Sequence, residues 1–558
     1  MHNNGVTWQK ISLPMVVSIV TGICYLLSNH FFRFYLQSDG PFHLAAIRNF
    51  PFDGNMVSPI LQLKGVSDHH YNISVALQAL FYRYSGSMHL TVIISGALFI
   101  IFFLFSFSLL TTRYCRNKNE VFMAVIALLF LSGPAGIIWA GAYSISAIMI
   151  NGFYPQTFAY GIFFLCLYSA TYKKAAAMRW LTIILLSACL IQHLLTGVVL
   201  LFSYYLLQIQ RYFESNEVDW YALVLPLPSI IMYIAWPYFP VLELFNELWP
   251  AFRSYLPWFL GALGGTIIFK HFSPILIVSI SELWLRFNRN FVKSIQVFLF
   301  CTLVVIVAIV LIDSWQNESF FYVEHFKQKN PLISIIQLAA LPAVLFLLVK
   351  RERDFITLWV FALIALALLG WAIDVSGYWR LIFFSLIAAM VAVGRQLVAV
   401  GKVQRYAVEI VAVVMLMTQG IFFTLVASAD TYDELQWVAE KIPEDAIVLA
   451  DARSSYRLAG VAGKRVVTSF ASHWSNYIKE TDREIRRVDV NTFFRETTSN
   501  AMRRNLLQRY QPAYLLVAVT SYNIEGYCYQ YSELLGRELG LLAKAVIYRG
   551  NEYTLLKL

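Results

Sequence analysis

The sequence predicts a mainly α protein, a polytopic transmembrane helical bundle of about thirteen spans followed by a C-terminal extracytoplasmic α/β domain. Three observations predict it. Of 558 residues, 59% are hydrophobic and only 14% charged, where a soluble domain carries about 25% charged residues. The apolar residues fall in runs close to the roughly 20 needed to cross a bilayer. After Asp430 these runs stop, and short strand and helix patterns take over. Residues 1–428 thus read as the membrane part and residues 429–558 as the outer domain.

In chain order the apolar segments are Ile11–Phe34, Leu90–Leu110, Val121–Trp139, Thr157–Tyr168, Trp180–Gln192, Leu194–Leu207, Trp220–Pro237, Pro257–Leu285, Ser294–Ile312, Leu332–Val349, Phe355–Ile373, Leu381–Val400 and Tyr406–Ala427. The first has no small-residue cleavage site behind it and reads as retained. Trp180–Leu207 reads as two helices broken at Gln192-His193 or as one long tilted helix. Lys270 and His271 interrupt Pro257–Leu285. Aromatic residues near span ends fit interfacial belts. Of six cysteines, Cys24, Cys166, Cys189 and Cys301 sit in apolar spans, so neither a disulfide framework nor a metal pair follows.

Basic residues set the expected orientation. Arg113, Arg116 and Lys118; Lys173, Lys174 and Arg179; Arg286, Arg289 and Lys293; Lys350, Arg351 and Arg353; and Arg395, Lys402 and Arg405 fall in alternate loops. The positive-inside rule then puts the N-terminus in the cytoplasm and everything after Ser428 outside. The net charge of +10 resides in these short loops and does not point to nucleic acid. In the outer domain, Thr431–Glu440 and Asn500–Tyr510 have helical patterns. Ile447–Ala450, Lys464–Ser469 and Tyr514–Val519 read as strands, and Ala543–Leu556 as a hairpin turning at Gly550-Asn551.

The first outer loop, residues 36–89, carries Asp39, His43, Arg48, Asp53, Asp68, His69 and His70. So many ionisable groups beside a bilayer suit a working surface. Gly40-Pro41 can open a helix, with Asp39 at its N-cap and His43 one turn in. Asp39 is then either a cap or a carboxylate that deprotonates an acceptor hydroxyl or holds a divalent cation, Mg or Mn. Asp68, His69 and His70 also offer metal ligands, although neighbouring residues do not share a helical face. Tyr154 and Gln156, in NGFYPQ, offer hydrogen bonds to a hydroxylated ligand or simply begin a helix at Pro155. His193 is an intramembrane ionisable group, either functional or bonded between helices. Arg380 at an outer boundary suits a lipid phosphate or snorkels to the interface, with Lys270 as a second anion contact.

The order of these segments is familiar. SDGPFHLAAIR after the first span, NGFYPQ before the fourth, IQHLLTG in a broken pair and YWR before a late span resemble the GT-C superfamily of integral membrane glycosyltransferases. The tail segments YDELQWVAEKIPEDAIVLAD, GKRVVTS and LLQRYQPAYLLVA look like the soluble domain of its bacterial and archaeal members. The resemblance implies an inverting transferase that uses a polyprenyl-phosphate-linked sugar, with a glycan, lipid or protein acceptor. It assigns Asp39 as general base and Arg380 to the donor phosphate. The second outer loop, Ala140–Gln156, lacks the acid that many members carry there, which leaves metal dependence open. A flippase for lipid-linked saccharides, or a polysaccharide polymerase or ligase, is the competing class. The residues offer it no internal repeat and no row of charges along the spans. The resemblance places the chain in a plasma membrane.

Overall fold

The computed structural model describes residues 8–36, 39–130, 145–172, 176–215, 217–238, 241, 355–356, 359, 362–363, 379–399, 433–470, 478–524 and 527–558. The expected segments Pro257–Leu285, Ser294–Ile312, Leu332–Val349 and Tyr406–Ala427 lie outside them, as does Lys270. The chain is mainly helical, with one sheet domain after the apolar part.

Helix α1 (Trp8–Phe32) ends in a 3-10 turn, Phe34–Leu36, that leads to α2 (Gly40–Arg48). Then follow α3 (Ile73–Ser85), α4 (Met88–Thr111), α5 (Lys118–Phe130), α6 (Ile145–Asn151), α7 (Pro155–Ala170), α8 (Ala176–Gln192), α9 (Leu194–Ser215), α10 (Trp220–Val224), α11 (Pro226–Ile234) and α12 (Trp379–Ala399). Among the described residues, α1 from Ile11, α4, and α9 as far as Tyr212 are long and apolar enough to cross a membrane. Val16, Val20, Ile23 and Leu27 of α1 are exposed, an apolar face without a protein neighbour that suits lipid. The broken-pair reading of 180–207 holds, since α8 stops at Gln192 and α9 starts at Leu194. Trp220–Pro237 is not continuous. Pro226 has no N–H to bond back into the preceding turn, and the chain restarts there as α11.

Helix α4 packs on both α1 and α7, α7 on α8, and α12 on α5. Small residues permit the close approaches: a Cβ on Gly96 would stand 2.5 Å from the Tyr25 hydroxyl, and one on Gly394 2.5 Å from the Ala124 nitrogen. Tyr25, Phe103, Phe107, Leu128, Phe163 and Trp359 belong to this helical core. At one end of the bundle Arg113 lies 3.9 Å over the Tyr172 ring, and Arg395 donates to the Tyr114 carbonyl. Two of the loops expected on one side thus meet there.

The sheet domain begins with α13 (Asp433–Glu440) and β1 (Ile447–Ala450), then α14 (Ala452–Ala462), β2 (Arg465–Val466), α15 (Glu480–Phe493), α16 (Asn500–Tyr510) and β3 (Tyr514–Ala518). A ribbon of β4 (Tyr522–Ile524) and β5 (Tyr527–Tyr529), then α17 (Glu533–Gly540), β6 (Ala545–Arg549) and β7 (Tyr553–Lys557) complete it. The sheet order is β2-β1-β3-β7-β6, parallel across the first three strands and antiparallel thereafter. Every residue of β3 is buried, as a strand covered on both faces requires. The expected strand Lys464–Ser469 shortens to Arg465–Val466, and the expected hairpin forms as β6–β7. The second core joins Leu449, Leu458, Leu515 and Leu555 of this domain to Phe42, Ala45, Ile47, Val75 and Phe153 from the loops between spans.

Candidate functional site

Helix α2 begins where the sequence places it. Asp39 holds the N-cap position, but its carboxylate makes no side-chain capping bond. Gly40 is required by the close approach of the backbone behind it, since a Cβ there would lie 1.9 Å from the Tyr35 carbonyl oxygen and 3.8 Å from the Tyr154 hydroxyl. The phenol of Tyr154 therefore reaches the Asp39–Gly40 corner. Residues 40–47 are all buried, so the half-exposed Asp39 stands at the open end of an enclosed helix.

One turn along, the His43 ring lies 4.4 Å from that of Tyr154 and 5.9 Å from that of His70. His70 packs edge-on against Phe42 at 4.4 Å. Behind it is Asp68, fully buried, whose Oδ1 accepts from the His70 backbone N–H at 2.9 Å and lies 2.7 Å from its Nδ1. The Oδ2 atom of Asp68 and the Nδ1 atom of His69 are buried without a hydrogen-bond partner among the described residues. Burial pushes the Asp68 carboxyl up, but the charge and hydrogen bonds of His70, with the charge of His69, outweigh it and hold the carboxyl below its usual value. Burial and His70 together lower the His69 imidazole, against the pull of Asp68. One donor atom from each of Asp68, His69 and His70 lies within 4.8 Å of the others, a spacing that suits a metal ion. The three residues meet because they form a turn in which the Asp68 side chain accepts from the N–H two residues on; a helical face has no part in it.

Tyr154 is held from both sides by amides that the motif reading missed. Gln78 of α3 donates to the Phe153 carbonyl at 2.9 Å, and Gln192 of α8 donates to the Pro155 carbonyl at 3.0 Å. Gln192 also accepts from the Ser74 N–H at 2.8 Å. Both glutamines are almost fully buried. The signal in the sequence was an uncharged polar residue inside an apolar run, at depths where such groups need partners.

Two other candidate residues bond along their own segments. Gln156 donates to the Tyr160 hydroxyl along α7 at 2.8 Å. His193 sits between α8 and α9, and its Nδ1 accepts from the Thr196 N–H at 3.3 Å, which caps α9. Arg380 belongs to the first turn of α12, and its side chain lies outside the described residues.

No family model matches the sequence, and no curated protein matches it. Solved structures with a similar course do exist. The archaeal oligosaccharyltransferase AglB from Archaeoglobus fulgidus, with an inhibitory peptide and a dolichol-phosphate, aligns over 91% of this chain and 69% of its own at 13% identity and TM-score 0.48. Its apo form aligns over 92% and 70% at 12% identity and TM-score 0.49. ArnT from Cupriavidus metallidurans, bound to undecaprenyl phosphate, aligns over 98% and 97% at 12% identity and TM-score 0.42. Residue roles in this chain rest on the geometry above.

Proposed function

We propose that this chain is a membrane glycosyltransferase. It moves a hexosyl or pentosyl group from a polyprenyl-phosphate-linked donor to a glycan, lipid or protein acceptor at the outer face of the membrane, with inversion. One observation carries the reading: Asp39 opens a buried helix, with the Tyr154 hydroxyl reaching the adjoining Gly40 and the His43 ring, one turn on, packed against Tyr154. In this reading the acceptor oxygen attacks the anomeric carbon while its proton passes to the Asp39 carboxylate. The bond from that carbon to the phosphate oxygen breaks, and the electron pair leaves with the phosphate. Arg380, with Lys270, stabilises the charge that builds there. The N-terminus lies in the cytoplasm, the chain passes the membrane several times, and the sheet domain lies outside.

A divalent cation belongs to the same reading. Asp68, His69 and His70 would hold it, and the buried Asp68 Oδ2 atom, which has no hydrogen-bond partner among the described residues, fits a positive charge there. Two imidazoles with one carboxylate suit zinc better than magnesium or manganese, which prefer oxygen ligands. When bound, such an ion supplies electrostatic stabilisation of phosphate oxygens.

The test is sugar transfer by the purified full-length protein from a panel of radiolabelled polyprenyl-phosphate sugars to an envelope extract. Label appearing in the acceptor fraction supports the reading. No transfer from any donor, with lipid-linked label crossing the bilayer of reconstituted vesicles, overturns it in favour of a flippase.

A further inference from the structure

Helix α2 is seated on the sheet domain by contacts that leave almost no play. A Cβ on Gly460 of α14 would stand 2.2 Å from the Pro41 Cβ, 2.3 Å from the Pro41 oxygen and 2.4 Å from its carbonyl carbon. Two of these atoms are backbone, so any larger residue at 460 must push α2 away bodily. At the far end of α2 the Arg48 guanidinium reaches the last carbonyls of α14. It donates to the oxygens of Ala459 at 3.4 Å, Gly460 at 3.1 Å and Val461 at 3.2 Å. A cation at a helix C-terminus meets both the unpaired carbonyls and the negative end of the dipole. Gln62, later in the same outer loop, donates to the Gly463 carbonyl at 3.0 Å.

Pro41 is two residues from Asp39, and Arg48 closes the same nine-residue helix. A shift of α2 on α14 therefore moves Asp39 relative to Tyr154, whose two chain neighbours are held separately by Gln78 of α3 and Gln192 of α8. We infer that Gly460 and Arg48 are positioning residues for Asp39, so that the sheet domain sets the placement of the reacting carboxylate. This inference rests on the reading of Asp39 as the base.

The experiment uses the full chain in lipid nanodiscs and compares Gly460→Ala, Arg48→Gln, Arg48→Lys and Asp39→Asn with wild type. Two readouts are taken: transfer from radiolabelled polyprenyl-phosphate sugars, and binding of undecaprenyl phosphate. Gly460→Ala and Arg48→Gln should each lower kcat by about ten-fold or more, because small displacements of a reacting group are costly. Donor KM and undecaprenyl phosphate binding should stay close to wild type, while the thermal midpoint falls with the clash or the lost bonds. Arg48→Lys, which keeps a cation that can donate to a carbonyl, should recover part of the loss. Wild-type kcat in Gly460→Ala and Arg48→Gln beside an inactive Asp39→Asn would overturn the positioning role and leave the base intact. Wild-type transfer by Asp39→Asn would remove the base reading itself, and the inference with it. If Gly460→Ala fails to fold, the two Arg48 variants decide: kcat equally low in both, or lost together with phosphate binding, would also overturn it.

Discussion

Asp68 commits one carboxylate oxygen to the backbone and ring of His70, and its other oxygen is buried with no hydrogen-bond partner among the described residues. Asp68→Asn should therefore strip bound divalent metal from the purified protein, as read by elemental analysis after dialysis against zinc or manganese. Metal retained at the wild-type ratio would contradict the site. In the sheet domain Asp451 caps α14 through the N–H groups of Arg453 and Ser454. Burial raises its carboxyl pKa, against the opposing hydrogen bonds of Ser454 and Tyr522. A raised acid binds more protons folded than unfolded, so this group favours folding below the usual carboxylate range and loses that contribution as pH rises through its folded value. Asp451→Asn, an equally good cap, should melt higher than wild type at neutral pH, and the gap should close on acidification. A gap independent of pH would contradict this. Asp39 and His43 were legible because spacing alone puts them on one turn. The Asp68-His69-His70 cluster was legible as a set of ligand types, but a helical-face criterion could not show that a turn brings the three together.

At the scale of elements, α2 and the α8–α9 break are the pieces on which the site depends. Gly40-Pro41 announced the first, and Gln192-His193 the second. What the sequence hid was the partner of each. Gln192 reaches across to Ser74 and Pro155, residues 118 and 37 positions away, and no local pattern reports pairings of that length. Gln192→Leu keeps the bulk and removes three bonds, those with the Ser74 N–H, the Ser74 hydroxyl and the Pro155 carbonyl, and each buried group left without a partner costs about 1–3 kcal/mol. The expected result is a lower thermal midpoint together with a reduced kcat, since Tyr154 loses one of its two clamps. An unchanged kcat in a folded variant would show that Tyr154 does not depend on Gln192. The short β2 has a similar cause: Lys464–Ser469 has strand composition, but only Arg465 and Val466 find a neighbour, in β1.

Among the described residues two large hydrophobic cores stand out, one among the apolar helices and one that joins the segments between them to the sheet. Composition made the division between apolar spans and a mixed tail plain. It did not show that α2 lies within the second core, since that depends on Gly460 and Pro41 meeting across more than four hundred residues. In the proposed reaction Asp39, at the start of the helix that joins the second core, is the base of sugar transfer. The most direct measurement is the rate of transfer from radiolabelled polyprenyl-phosphate sugar by wild type and by Asp39→Asn, with undecaprenyl phosphate binding as the check on folding. Asp39→Asn should lose about two orders of magnitude or more, in the range for removing a general base, with phosphate binding intact. Transfer at the wild-type rate by a folded Asp39→Asn protein would contradict it.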